Sequence, residues 1–209
     1  MTSGALWTVV RASGTVDLVL LTLVVALGVA VIGHGPVRRT PRFVFQHLHR
    51  DASLLAVALL VAHVVAAVLL VHLDVIPAVV PFTSATRRVY LGLGVLGADL
   101  MALIAVTSMI HRRLGLRGWR RLHWAAYVAW AAGVVHGAAP GTDRRVPWIA
   151  ALDVACVAVV LAAVAVRLSR QPRQHPVRLV TVGAGTAFAL AGFVLWMHVT
   201  PLPLLTSGS

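Results

Sequence analysis

The sequence predicts an all-α integral membrane protein, a bundle of six transmembrane helices in a single domain over residues 1–209. Three observations carry that expectation. The chain is 59% hydrophobic and 11% charged, with a mean hydropathy of +0.90. Its apolar residues fall into six runs of 19–23 residues, each long enough to cross a bilayer core. Its basic residues, all arginine, cluster in alternate connections between the runs. The first observation excludes a disordered chain and a water-soluble globule. Six spans leave too little chain for an added nucleotide-binding domain in water.

The first span, 15–33, follows Arg11. It reads as a span and not as a cleaved signal peptide, because no A-x-A site follows and it is long enough to cross. Gly35-Pro36 and Pro41 break the chain before span two, 50–72, and Pro77 and Pro81 before span three, 88–110. Gly92, Gly94 and Gly97 lie inside span three, where they suit helix packing and not a phosphate-binding loop. Span four, 121–139, stops at Pro140-Gly141. Span five, 147–167, holds Cys156, expected to be a small buried apolar residue. One cysteine excludes an internal disulfide and a multi-cysteine metal centre. Pro172 and Pro176 precede span six, 178–198, where Gly183, Ala187 and Ala191 form a small-residue packing row.

Thirteen of the 18 arginines lie after spans one, three and five, and five lie on the other side. Arginine-rich connections stay in the cytoplasm, so both termini are expected outside it, in a multi-pass protein of the cell membrane. The formal charge of +12 is then a topology signal and an attraction to anionic lipid headgroups. No nucleic-acid partner is expected, because the arginines form short clusters at span ends.

Ten histidines in so apolar a chain need a reason. His34, His47 and His175 fall in connections, and His72, His111 and His198 near span ends, where interfacial water suffices. His49 and His63 lie 14 apart on span two, and His123 and His136 lie 13 apart on span four. Those steps are about 21 and 19.5 Å of helix. Spans two and four run in the same direction, so His49 can meet His123 near the cytoplasmic edge and His63 can meet His136 further out. Two stacked sites with one imidazole from each helix suit two b-type haems held between helices two and four. Fourteen residues return to within about 40° of the same helix face, but thirteen miss by about 140°. Span four therefore needs a kink or bulge, for which Gly133 and Pro140 are candidates. Without one, a single haem remains possible.

The string from Gln46-His47-Leu48-His49-Arg50 to His63, then Thr107-Ser108, Arg113-Leu114-Gly115, Trp119-Arg120-Arg121-Leu122-His123, Tyr127 and His136, resembles the ferric-reductase-like transmembrane domain. That family includes the membrane parts of ferric reductases and NADPH oxidases and the haem-bearing membrane subunit of the methionine sulfoxide reductase system. The resemblance covers roughly residues 15–167. It implies two haem b groups with His49, His63, His123 and His136 as axial ligands to haem iron, and it implies that the 13-residue step is one the family uses. This chain has no Gly-rich dinucleotide fingerprint on a strand–helix unit. The expected role is therefore an oxidoreductase electron-transfer subunit, a ferric-reductase-like cytochrome without its own flavin or NADPH domain. A separate flavoprotein or quinol would be the donor, with an external acceptor, and flavin or quinone would sit on the partner or at the membrane surface.

Arg50, Arg120 and Arg121 flank the inner histidines and suit haem propionates. Arg87, Arg88, Arg144 and Arg145 suit the same task outside. Asp99, mid-span in helix three, is the candidate for a proton relay or for a neutral packing role. Asp17 and Asp153 are expected near the interface, the tryptophans mostly in an aromatic belt, and Tyr127 in packing. The alternative reading is a haem-free small membrane transporter or assembly scaffold.

Overall fold

The computed structural model describes residues 3–32, 42–72, 74–85, 87–138 and 147–169, and all regular structure among them is helical. The expected sixth span, 178–198, lies outside the described residues. So do His34, His175, His198, Pro140, Arg144, Arg145 and the other arginines at 38, 39, 170, 173 and 178. Seven helices are described: α1 Ser3–Ile32, α2 Arg42–Val71, α3 Val75–Val79, α4 Arg88–Met109, α5 His111–His123, α6 Ala125–Ala138 and α7 Pro147–Ser169. Four of them, α1, α2, α4 and α7, are long and apolar enough to cross a membrane. A helix is the natural state of such segments, because it satisfies every backbone donor and acceptor internally where lipid offers none. Leu54, Leu55, Val61, Val65 and Leu69 point outward from α2, as residues facing lipid do.

The structure differs from the expected spans in two ways. First, α1 starts at Ser3 and α2 at Arg42, both well before the apolar runs begin. Thr8, Ser13, Thr15 and Ser53 return their hydroxyls to the carbonyl four residues earlier, so polar residues ride in these helices without ending them. Second, the expected span 121–139 is divided. α5 closes at His123, Trp124 stands between helices, and α6 has 14 residues.

The link from α2 to α4 turns through left-handed backbone at His72, Phe82 and Arg87 (φ 53°, 63° and 47°). Arg88 Nε donates to the Phe82 carbonyl at 2.5 Å, tying this link to the start of α4. A side chain at Gly92 would overlap the Phe82 ring, so this glycine makes room for the link.

α1 packs against α2, α6 and α7, while α4 pairs with α6. Small residues allow the close approach that membrane helices rely on. Gly97 faces the Ala129 carbonyl 3.5 Å from where a Cβ would stand. Ala56 and Ala129 are 0% and 1% exposed, in a core with Leu21, Met101 and Ile104. Cys156 is buried in a second cluster with Leu18, Val134 and Val157. An Ala56→Leu variant must force extra methylenes into that first core, at a cost of about 1–3 kcal/mol. Its expected signature is a lower thermal unfolding midpoint in detergent; an unchanged midpoint would show that the α1–α2 seam is loose.

Candidate functional site

The structure brings the four intramembrane histidines together as two pairs. The ring centroids of His49 and His123 are 6.2 Å apart, and those of His63 and His136 are 6.4 Å apart. A direct N–H···N bond of about 2.9 Å would bring such rings to roughly 5.1 Å. Two metal–imidazole bonds of about 2.0–2.1 Å on opposite sides of one metal place them about 6.3 Å apart. Both pairs have the second spacing. Among the described residues no three His, Cys, Asp or Glu side chains gather into a metal site. A pair of opposed imidazoles suits a metal that brings four planar ligands of its own, as haem iron does.

Backbone carbonyls set the ring orientations. His63 Nδ1 donates to Val10 O at 2.9 Å and His49 Nδ1 to Val24 O at 3.0 Å, both on α1. His136 Nδ1 donates to Tyr90 O on α4 at 2.9 Å. A carbonyl only accepts, so each of these neutral rings carries its proton on Nδ1 and presents the Nε2 lone pair. Such a partner is what orients and strengthens an imidazole ligand. The two α1 acceptors are 14 residues apart, the same step that separates His49 and His63 on the antiparallel α2. His123 Nδ1 is buried with no partner among the described residues.

Glycines make room for the rings. A Cβ at Gly14 would stand 2.7 Å from His63, and one at Gly94 would stand 2.7 Å from His136. At Gly28 the distance to His49 is an ordinary 3.4 Å. Between α1, α2, α4 and α6 opens a cavity of about 440 Å³, within the usual range for ligand sites. His63 and His136, with Gly14 and Gly94, line it.

The family model for the ferric reductase like transmembrane component matches residues 13–134, more than half of the chain. The chain belongs to that family. The matched stretch contains His49, His63 and His123 and stops two residues before His136. No curated protein and no solved structure matches the chain. A ferric-reductase-like membrane domain implies electron transfer within the membrane, in a family that typically binds haem.

In this ferric-reductase-like chain the irregularity demanded by the 13-residue step lies at Trp124. There the α5 ladder ends and Tyr127 N bonds Trp124 O, a tightened turn from which α6 resumes. Gly133, the expected source, sits inside regular helix α6. His123 and His136 stand on either side of this break, and each ring lies beside its partner on α2.

Aromatic rings back the two histidines opposite α2. Tyr90 stacks on His136 at 4.3 Å and Trp119 on His123 at 4.8 Å. Trp119 Nε1 is also held by Ser108 Oγ at 3.3 Å. Tyr127 packs beside Trp124 with ring centres 5.3 Å apart. Trp124 and Trp148 are exposed, as a belt requires, but Trp130 points inward and donates to Thr22 Oγ1 at 3.0 Å.

The charged candidates separate in the structure. Arg50, Arg120 and Arg121 are exposed beside His49 and His123. Arg87 lines the cavity, whereas Arg88 is taken up by the Phe82 carbonyl. Arg11 also lines the cavity, stacked on Trp7 at 5.0 Å, and was not anticipated as a site residue. Asp99 is half-buried on α4 and does not line the cavity. Asp17 and Asp153, expected at the interface, are 4% and 5% exposed and do line it. The reason for Asp17 is the early start of α1, which puts residue 17 in the middle of the helix. His47, His72 and His111 are exposed, in keeping with an interfacial reading.

Proposed function

We propose that this chain is a di-haem b electron-transfer protein that carries single electrons across the membrane. The observation that carries the reading is the pair of matched ring separations, 6.2 and 6.4 Å, at two depths of one bundle. His49 and His123 would hold the inner haem, and His63 and His136 the outer one. When bound, each haem supplies a one-electron ferric–ferrous couple.

The chain's own residues do the rest. The carbonyls of Val10, Val24 and Tyr90 fix three imidazoles as Nε2 ligands and hold them before any cofactor arrives. A haem held by an imidazole on each side would pass electrons in preference to binding oxygen. Arg50, Arg120 and Arg121 neutralise propionates at the inner level, and Arg11 and Arg87 do so at the outer level. The arginine-rich α5 lies on the cytoplasmic side, both termini lie outside, and electrons enter at the inner level from a separate flavoprotein or quinol. They leave at the outer level to an external acceptor, ferric iron or a flavin-bearing partner.

The test is a dithionite-reduced-minus-oxidised spectrum of purified protein with haem quantified per chain. Sharp b-type bands at about two haems per chain are expected from two bis-imidazole sites. Folded protein without haem, even after haem supplementation, would discard the reading in favour of a transporter or scaffold. One haem per chain would confine it to a single level.

A further inference from the structure

The cavity holds two acids that electron transfer between histidines does not use. Asp17 on α1 and Asp153 on α7 are 4% and 5% exposed. Asp17 Oδ1 is buried without a hydrogen-bond partner among the described residues. Both side chains line the cavity that His63 and His136 share. Along α1, residue 17 is seven residues from Val10 and seven from Val24, the acceptors for the two histidine levels. It therefore sits midway between them, about 10.5 Å of helix from each. A carboxylate in so dry a place is costly as an anion, and a bound proton removes the charge.

We infer that the buried carboxylates of Asp17 and Asp153 bind protons in the membrane interior, one of them taking up a proton when an electron reaches the outer histidine pair and releasing it when the electron leaves. The inference rests on the di-haem reading above. The step balances. One electron from the donor enters the His63–His136 site, and one proton enters from water. A new O–H bond forms on a carboxylate oxygen. Onward transfer to the external acceptor breaks that bond and returns the proton. In a low-dielectric site the added electron and the added proton offset each other, and neither charge stands alone.

The groups that face the pair are few. His63 comes from α2, His136 from α6, Arg11 from α1 itself, and Arg87 with Tyr90 from the start of α4, all around the same cavity. Cys156, one turn along α7 from Asp153, is buried. The two outer histidines are committed to the metal when haem is bound. Asp17 and Asp153 are the carboxylates among the residues lining the cavity.

The experiment is a redox titration of the haem-loaded protein at several pH values, paired with reduced-minus-oxidised infrared spectra in H2O and D2O. Haem per chain is read first. A protein without haem overturns the underlying reading and is recognised before any potential is measured. In the wild type the outer haem's midpoint should fall as pH rises, because reduction draws in a proton. A deuterium-sensitive carboxylic C=O signal should accompany reduction. The D17N/D153N double variant, with both haems retained, should lose that signal and most of the pH dependence at the outer level. Retention of both in the double variant overturns the inference. Should that variant fail to load haem, the wild type decides alone: no carboxylic signal on reduction sinks the site.

Discussion

Replacing His63 or His136 with alanine is expected to remove one haem and keep the other, taking haem content from about two per chain to about one. Each member of the pair supplies one axial bond, and its partner cannot reach the metal from both sides. Loss of groups that only orient a ligand typically costs 10–100-fold in metal affinity, so loss of the ligand itself should cost more. The effect should stay local. The two levels are about 21 Å apart along α2, beyond the range at which mutational effects usually couple. The fold should survive as well, since the substitution frees one carbonyl, Val10 O or Tyr90 O, at a cost on the order of 1–3 kcal/mol. In a redox titration the wild type should resolve into two components and each variant into one. His49→Ala and His123→Ala should remove the other component. Full retention of both haems in a His63 or His136 variant would refute the assignment of that level.

The sequence carried the membrane class and the histidine pairs, because both rest on features with a clear periodic or compositional signal. Apolar runs mark spans, and a 14-residue step on one helix against a 13-residue step on another marks matched depths. What stayed hidden had no such signal. The break at Trp124 arises in Leu122-His123-Trp124-Ala125, with neither proline nor glycine to announce it. The carbonyls that orient the rings belong to Val10, Val24 and Tyr90, and any residue type would offer the same oxygen. Hydropathy located where each helix is apolar, not where it begins. Asp17 was therefore placed near an edge when α1 in fact extends back to Ser3. Arg11 was passed over for the same reason. Gly94 was legible as a packing residue, but its packing partner is the His136 ring, which only the antiparallel register of α4 and α6 discloses.

That last contact yields a prediction in which one added methyl group lowers both stability and cofactor binding. In a helix, alanine is favoured over glycine by about 0.8–1.0 kcal/mol, so Gly94→Ala should leave the apoprotein no less stable if nothing stood nearby. Something does: the new Cβ would lie 2.7 Å from His136 Cε1, 2.9 Å from Nδ1 and 3.2 Å from Nε2. The ring has little freedom to yield, with Tyr90 O holding Nδ1 at 2.9 Å and the Tyr90 ring stacked at 4.3 Å. Reaching ordinary contact requires a shift of several tenths of an ångström, whereas metal–ligand bonds tolerate about 0.2 Å. The outer haem should therefore be held at least 10–100-fold more weakly, the range seen when a ligand's support is lost. Gly14→Ala should do the same through His63, where the added Cβ would also stand at 2.7 Å. Gly28→Ala, at 3.4 Å from His49, and Gly4→Ala, with nothing within 4 Å and outside the cavity lining, should keep both haems. Haem stoichiometry and thermal midpoint measured across these four variants separate the two effects. Loss of haem at Gly14 and Gly94, with an apoprotein midpoint lowered there and not in the other two variants, is the expected pattern. Equal haem content in all four would mean that the outer imidazoles are not held in the positions from which a metal could be bound.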